Sequence, residues 1–470
     1  MDTIITAEEI TLWEIIKAKM LKSPEKQLSE NNRIITYKEA VILAENIAKS
    51  LDKPCYGIMC HSEMLSGIAL LACLSARKTA LMLSHRYGEK HLKRITDFVN
   101  PPCIISDNNG EIEIIYTNTT DIYEEPEEAP ALIMCTSGTT GTPKGVMLSE
   151  NNILSNLLDI HKYFNVNDND SILIERPLYH SAVLTGEFLF SLCRGLDIFF
   201  CSEPFNPVNL IRIIKDKKIK IMCGTPTLFL TLGKFIRNSD DIASLKTIVL
   251  SGECMAETTA RKISGVYSHQ DIYHVYGLTE ASPRVAYLPP EHFNTSGQKI
   301  GIPLNSVDLI IIDDEGNEVA AGNCGELCVR GPNVMLGYYK APNLTKEKIK
   351  CGWLHTGDIA IKDKYGMYEI KGRADDMIIR AGMNIYPAEI ENAIMGDKRV
   401  IDVVACGYVQ KDGNIGIALT IAGNFSNVNE VRALCQELLP PYEIPSLIEI
   451  TDTIKQNGSG KKSRNIRTEV

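Results

Sequence analysis

Residues 136–145 ("TSGTTGTPKG") pack three glycines, four threonines, a serine, a proline and a lysine into ten positions. Glycines let a backbone turn sharply and aim N–H groups at an anion, while hydroxyls and Lys144 add donors and charge. The chemistry that suits such a loop is phosphate binding. Flexible surface turns share this composition, but this loop leaves the apolar run 131–135 ("ALIMC") directly, as a loop hung on a buried strand would. It is not a Walker loop, in which Gly-Lys precedes Ser or Thr at a helix start. Here Lys144 follows Pro143 and precedes Gly145 and a strand-like "VML". No GxGxxG occurs, so the Rossmann fingerprint is missing as well.

Six further segments carry groups that an anion-handling site needs. They are "PLYH" (177–180), "YGLTE" (276–280), "GWLHTGD" (352–358), "KGRADDMI" (371–378), "AGMNIYPAEIE" (381–391) and "NGSGKKSRN" (457–465). Taken with the loop, and in this order, they resemble the motifs of the adenylate-forming superfamily. That superfamily comprises acyl- and aryl-CoA ligases, peptide-synthetase adenylation domains and luciferases. The resemblance runs from about Thr36 to Lys461, nearly the whole chain.

The resemblance implies an AMP-forming acid–thiol ligase that uses ATP and Mg2+. Thr136, Ser137, Gly138, Thr139, Thr140, Gly141 and Lys144 would cradle the β- and γ-phosphates. Thr279 would hydrogen-bond the α-phosphate, and Glu280 would hold Mg2+ through a hard carboxylate oxygen. Tyr276 and Gly277 would lie against the adenine ring, with His274 at its edge. Asp358 would accept from both ribose hydroxyls with Arg373 nearby, whereas composition alone makes them a turn residue and a surface charge. Gly252 and Glu253 would line the adenine and acyl pockets, and His180 would stand at the acyl pocket. Lys461 would bridge the carboxylate and α-phosphate oxygens as charge develops. Asp375 matches a hinge, about which the C-terminal domain would turn after adenylation. That turn would bring Gly382 to line a pantetheine path too tight for a side chain.

A carboxylate does not react with a thiol, because oxide would have to leave. Coupling to AMP supplies a leaving group, so positive charge and preorganised donors are the main catalytic need. Peptide-synthetase domains place an Asp shortly after the pocket motif to pair with the substrate's α-ammonium. "LYHSAVLTGEF" has none there, and Glu187 reads as a helix residue. A fatty or aromatic acid is therefore expected, not an α-amino acid. The acceptor is expected to be CoA or the phosphopantetheine of a freestanding carrier protein, because the chain ends just past the tail motif. Two other readings stand beside this one: a ligase that hands its acyl-AMP only to a carrier protein, and a non-catalytic nucleotide-binding relative.

The elements that must hold these groups are legible in outline. At 470 residues the chain is too long for one ordinary core. Thr36–Leu51 (36–51) reads as a helix with capping-box spacing at Thr36 and Glu39, and 65–74 as a more buried one. Ser149 caps a helix after the loop. Short apolar strands at 221–224, 246–253 and 271–277 alternate with helices, which predicts an α/β layered core. From Val307 the texture turns to strand and Gly turn, a β-rich subdomain. The expected organisation is a large adenylation domain over 1–373 and a small mobile α+β domain over 374–470.

A formal net charge of -10 argues against a general nucleic-acid or anionic-membrane binder. The apolar run 65–76 is too short to span a bilayer, and no signal peptide opens the chain, so the cytoplasm is expected. The 14 cysteines read as buried thiols. Cys324 and Cys328 have no second pair or His at zinc-ligand spacing.

Overall fold

The computed structural model describes residues 10–117, 124–137, 143–201, 205–380, 383–410 and 415–454. Its largest element among them is a nine-stranded sheet. Six neighbouring strands of that sheet run parallel, among them Ser171–Ile174, Ile221–Gly224, Thr247–Leu250 and Asp271–Gly277. "SILI", "IMCG" and "TIVL" are buried at every position, as strands covered by helices on both faces must be. The covering helices include Pro207–Asp216, Pro226–Gly233 and Glu257–Val266. Ser171–Ile174, Thr247–Leu250 and Asp271–Gly277 deliver "PLYH", Gly252 with Glu253, and "YGLTE" at their carboxyl ends, where open α/β sheets bind ligands.

A seven-stranded sheet carries the Gly/Thr loop. Leu132–Ser137 and Pro143–Leu148 pair antiparallel, with Thr136 opposite Lys144, so the two ends of the motif lie side by side on one hairpin. Gly337–Tyr338 adds to the outer side of that hairpin. The expected β-rich region is a five-stranded antiparallel sheet that includes Cys324–Arg330, Trp353–Lys362 and Tyr368–Arg373. Beyond it, a three-stranded sheet and the helices Pro387–Ile394 and Val428–Leu438 enclose a hydrophobic cluster of their own, from Ile378 to Ile448.

Local signals set the helix starts. Thr36 and Ser149 each accept from the backbone N–H three residues on, and Glu39 and Asn152 return the bond. The helix expected over 36–51 is shorter, Tyr37–Ala48, and follows an earlier one at Leu12–Lys22. Leu51 is buried in the turn that follows rather than in the helix. No helix among the described residues is long and apolar enough to cross a membrane.

Candidate active site

Two of the sheets meet at Asp358. Asp358 and Arg373 stand opposite each other on paired strands, and Arg373 Nη1 donates to Asp358 Oδ1 at 3.0 Å. Tyr276 arrives from the parallel sheet and donates its hydroxyl to Asp358 Oδ2 at 2.5 Å. Burial, and then the Asp358 charge, push the Tyr276 phenol well above its ordinary pKa, so it stays a donor. One carboxylate is thus held from both sides by groups 82 and 15 residues away. Sequence predicted all three; only the fold joins them.

Thr279 and Glu280 lie in a short 3-10 turn after Asp271–Gly277. Thr279 Oγ1 is 3.1 Å from Ser181 Oγ, which ties the "YGLTE" turn to the residue after "PLYH". Tyr338 donates to Glu280 Oε1 at 2.8 Å, and Tyr338 itself pairs with Val146 on the loop hairpin. Tyr338 and Ser181 were not singled out in the sequence, because neither has a motif or spacing signal of its own. Among the described residues Glu280 Oε2 has no hydrogen-bond partner. A hard oxygen left open beside the loop hairpin suits Mg2+.

Gly277 has a reason within the fold. A Cβ there would stand 1.9 Å from the Pro283 carbonyl oxygen. Gly252, at φ +89°, is exposed at the carboxyl end of Thr247–Leu250, as a crevice-lining residue should be. Glu253 is engaged instead: its Oε2 accepts from Thr227 N–H at 3.2 Å and Thr227 Oγ1 at 2.7 Å, linking adjacent strand ends. His180 opens the short helix after "PLYH", its ring 4.1 Å from that of Tyr179. Asp375 sits exposed in a 3-10 turn, 3.7 Å from Arg373.

His274 is only 2% exposed, and Nδ1 donates to the Gly297 and Lys299 carbonyls at 3.0 and 2.8 Å. Burial lowers its pKa to about 4, so the ring is neutral and braces strand against turn. A difference from the sequence reading concerns Cys328. No His stands near it in sequence, yet the antiparallel register sets His355 opposite it, with Glu326 alongside. Glu326 accepts from His355 Nδ1 and from Gly357 N–H, both at 2.9 Å, and so props the Asp358 strand. Gly138, Thr139, Thr140, Gly141, Gly382 and Lys461 lie outside the described residues, and of Ser137 only the strand backbone is described. Thr136 and Lys144 are half-buried at the hairpin's base.

Beside "PLYH" lies a buried ion pair. Arg176, two residues beyond Ser171–Ile174, donates through Nη2 to Glu187 Oε1 at 2.7 Å. Glu187 lies in a π-helical segment, Leu184–Leu189, not an ordinary helix turn. Glu187 is thus already paired with a cation of the protein through Oε1. Beneath "PLYH", Glu63 is 7% exposed and accepts from Leu178 N–H at 2.9 Å. Burial holds its carboxyl up at about 7.

A carboxylate-and-tyrosine corner, a glycine–threonine hairpin and an acid-side loop therefore converge at the carboxyl ends of parallel strands. Residues 17–339 match the model of the AMP-binding enzyme family. The chain belongs to that family. A long-chain-fatty-acid–CoA ligase of Escherichia coli O157:H7 is 30% identical over 437 residues, covering 90% of this chain and 75% of that protein. A feruloyl-CoA synthase of Amycolatopsis is 32% identical over 350 residues, covering 72% of this chain and 70% of that one. Among solved structures, the o-succinylbenzoate-CoA synthetase of Bacillus subtilis with its acyl-adenylate intermediate matches at TM-score 0.85 and 23% identity. It covers 98% of both chains, and at that identity the family likeness shown is one of fold.

Proposed function

We propose that this family member activates a carboxylic acid with ATP, forming an acyl-adenylate and pyrophosphate, and then passes the acyl group to the thiol of CoA. The carrying observation is the Tyr276–Asp358–Arg373 chain set beside Glu280 and the loop hairpin. It offers acceptors for the ribose hydroxyls, a flat ring for adenine and a hard oxygen for Mg2+, all facing one crevice. Mg2+, held through Glu280, would supply charge that offsets the phosphates. Lys144 would add to it from the hairpin, and Thr279 would orient the α-phosphate towards the incoming carboxylate. Lys461 is the residue we assign to the oxygens of the reacting centre, with Gly382 on the later thiol path. We place the division between the two domains at 373/374, with Asp375 as hinge. The separate hydrophobic cluster beyond Ile378 supports that boundary.

The acid is fatty or aromatic and lacks an α-amino group, a reading supported by the closed Arg176–Glu187 pair and by the two CoA-ligase relatives. Pyrophosphate release with a panel of acids, with and without CoA or a phosphopantetheinylated carrier protein, tests the whole reading. Acid-dependent release followed by CoA thioester is expected. Release with standard amino acids alone, or none with any acid, overturns it.

A further inference from the structure

Arg176 is placed unusually for a group that is only structural. Its Nη2 is clamped by Glu187, and its Nε is buried with no partner, as is Glu187 Oε2. Buried polar atoms without partners are rare, and each calls for a reason. Among the described residues Nη1 has no hydrogen-bond partner either. It lies 4.0 Å from where a Cβ on Gly252 would stand, and Gly252 is exposed at the neighbouring strand end. The guanidinium therefore reaches across the carboxyl ends of the strands towards the crevice, immediately before Pro177 and Leu178. The fold spends effort on holding it there. Glu187 sits in a π-helical turn, an irregularity that concentrates at functional sites. A second guanidinium, that of Arg284, fixes the same turn by donating to the Gly186 carbonyl at 3.0 Å and to Tyr163 Oη at 2.6 Å.

The charge balance says what Nη1 should meet. Glu187 already neutralises Arg176, and Arg284 is turned to Tyr163 and Gly186. Glu175, the residue before Arg176, is a carboxyl that burial holds up at about 7 and that the Arg176 charge acts to lower. An anionic tail would meet a guanidinium whose charge Glu187 already offsets, and a plain hydrocarbon would leave Nη1 desolvated with nothing to donate to. A neutral oxygen acceptor satisfies it without adding charge.

We propose that Arg176, oriented by Glu187, is a specificity residue that selects acids bearing a neutral oxygen acceptor, such as a hydroxyl, methoxy or keto group, away from the reacting carboxylate. The inference rests on the acid-activating function above. The test compares matched acids that differ only in that oxygen: cinnamate against its hydroxy and methoxy derivatives, and octanoate against hydroxy- and keto-octanoates. Pyrophosphate release gives kcat/KM for each, with a dicarboxylate of similar length as a further arm. The wild type is expected to favour the best oxygen-bearing acid by roughly ten- to hundredfold, the value of a hydrogen bond to a charged donor. In the double variant Arg176→Met with Glu187→Met the buried pair becomes packed hydrophobes, a replacement that tends to leave stability intact. It should lose the preference and keep activity on the plain acids. For a variant that does not fold, the decisive measurement is wild-type binding of acyl-sulfamate analogues of the adenylates from the same pairs. Equal binding within a pair overturns the proposal. So does an unchanged preference in the double variant, or a wild type that favours the plain acid or the dicarboxylate. Activity on no acid at all overturns the underlying function instead, which separates the two failures.

Discussion

At the nucleotide end of the crevice, Tyr276, Asp358 and Arg373 form a hydrogen-bonded chain that opens to solvent at Arg373, whose side chain is 44% exposed. At the acid end, Arg176 and Glu187 are 16% and 2% exposed and close on each other. The first set is built from groups that keep lone pairs and a ring face for a ligand of fixed chemistry. The second hides its charges and offers a single N–H edge. On the proposed function, the difference teaches where selectivity would reside: a nucleotide common to a whole family can be read by residues that recur as motifs, whereas Arg176, proposed to read the acid, belongs to none of the motifs.

The comparison breaks first, and most severely, at Lys461. Lys461→Ala removes charge from the reacting oxygens, and adenylation is expected to fall by about a thousandfold. Given synthetic acyl-AMP and CoA, the same variant should still make thioester, and Gly382→Leu should show the reverse. Stopped assays of pyrophosphate and thioester for both variants decide the matter. Equal loss of both steps in both folded proteins would end the two-face account.

Asp358→Ala comes next. It removes the acceptor that both Tyr276 and Arg373 hold, and KM for ATP should rise roughly a hundredfold while KM for the acid changes little. A change shared equally by both substrates would mean that the two ends are not separate.

The acid end should reveal itself by pH. The Glu63 carboxyl is held up at about 7 by burial, against an ordinary value of 4.5. The folded protein therefore binds that proton more tightly than the unfolded chain does. Its contribution to stability declines as pH rises from about 4.5 to about 7, and is flat above that. Glu63→Gln keeps an acceptor for Leu178 N–H but cannot ionise. The variant should gain on the wild type across that window, by at most about 3 kcal/mol at pH 8. Urea melts at pH 5 and pH 8 measure the change; a constant difference would refute the assignment.

The smallest effect is expected from Tyr338→Phe, which frees Glu280 Oε1 without moving the carboxylate out of the crevice. A roughly three- to tenfold higher Mg2+ requirement, read from initial rates, would place Tyr338 as a positioning residue. No change in Mg2+ dependence would leave it a packing residue of the hairpin.

Much of this molecule could be read from local signals alone. The fully apolar strings "IMCG" and "TIVL", the caps at Thr36 and Ser149, and the Gly/Thr loop after a buried strand are short-range facts, and they fixed strands, helix starts and motif positions. What no local signal could give is pairing between distant segments. Arg176 with Glu187, Tyr338 with Glu280, and His355 opposite Cys328 depend on which strand ends lie side by side and in what register. His274 is a further case: no local signal told that the turn packed over its strand supplies two carbonyls to its Nδ1. The sequence determined the family, the strand-end motifs and the nucleotide chemistry, because those need particular residue types at short spacings. Only the tertiary structure decided which charges neutralise one another and which are left facing the crevice, because burial and distance between remote residues set that balance.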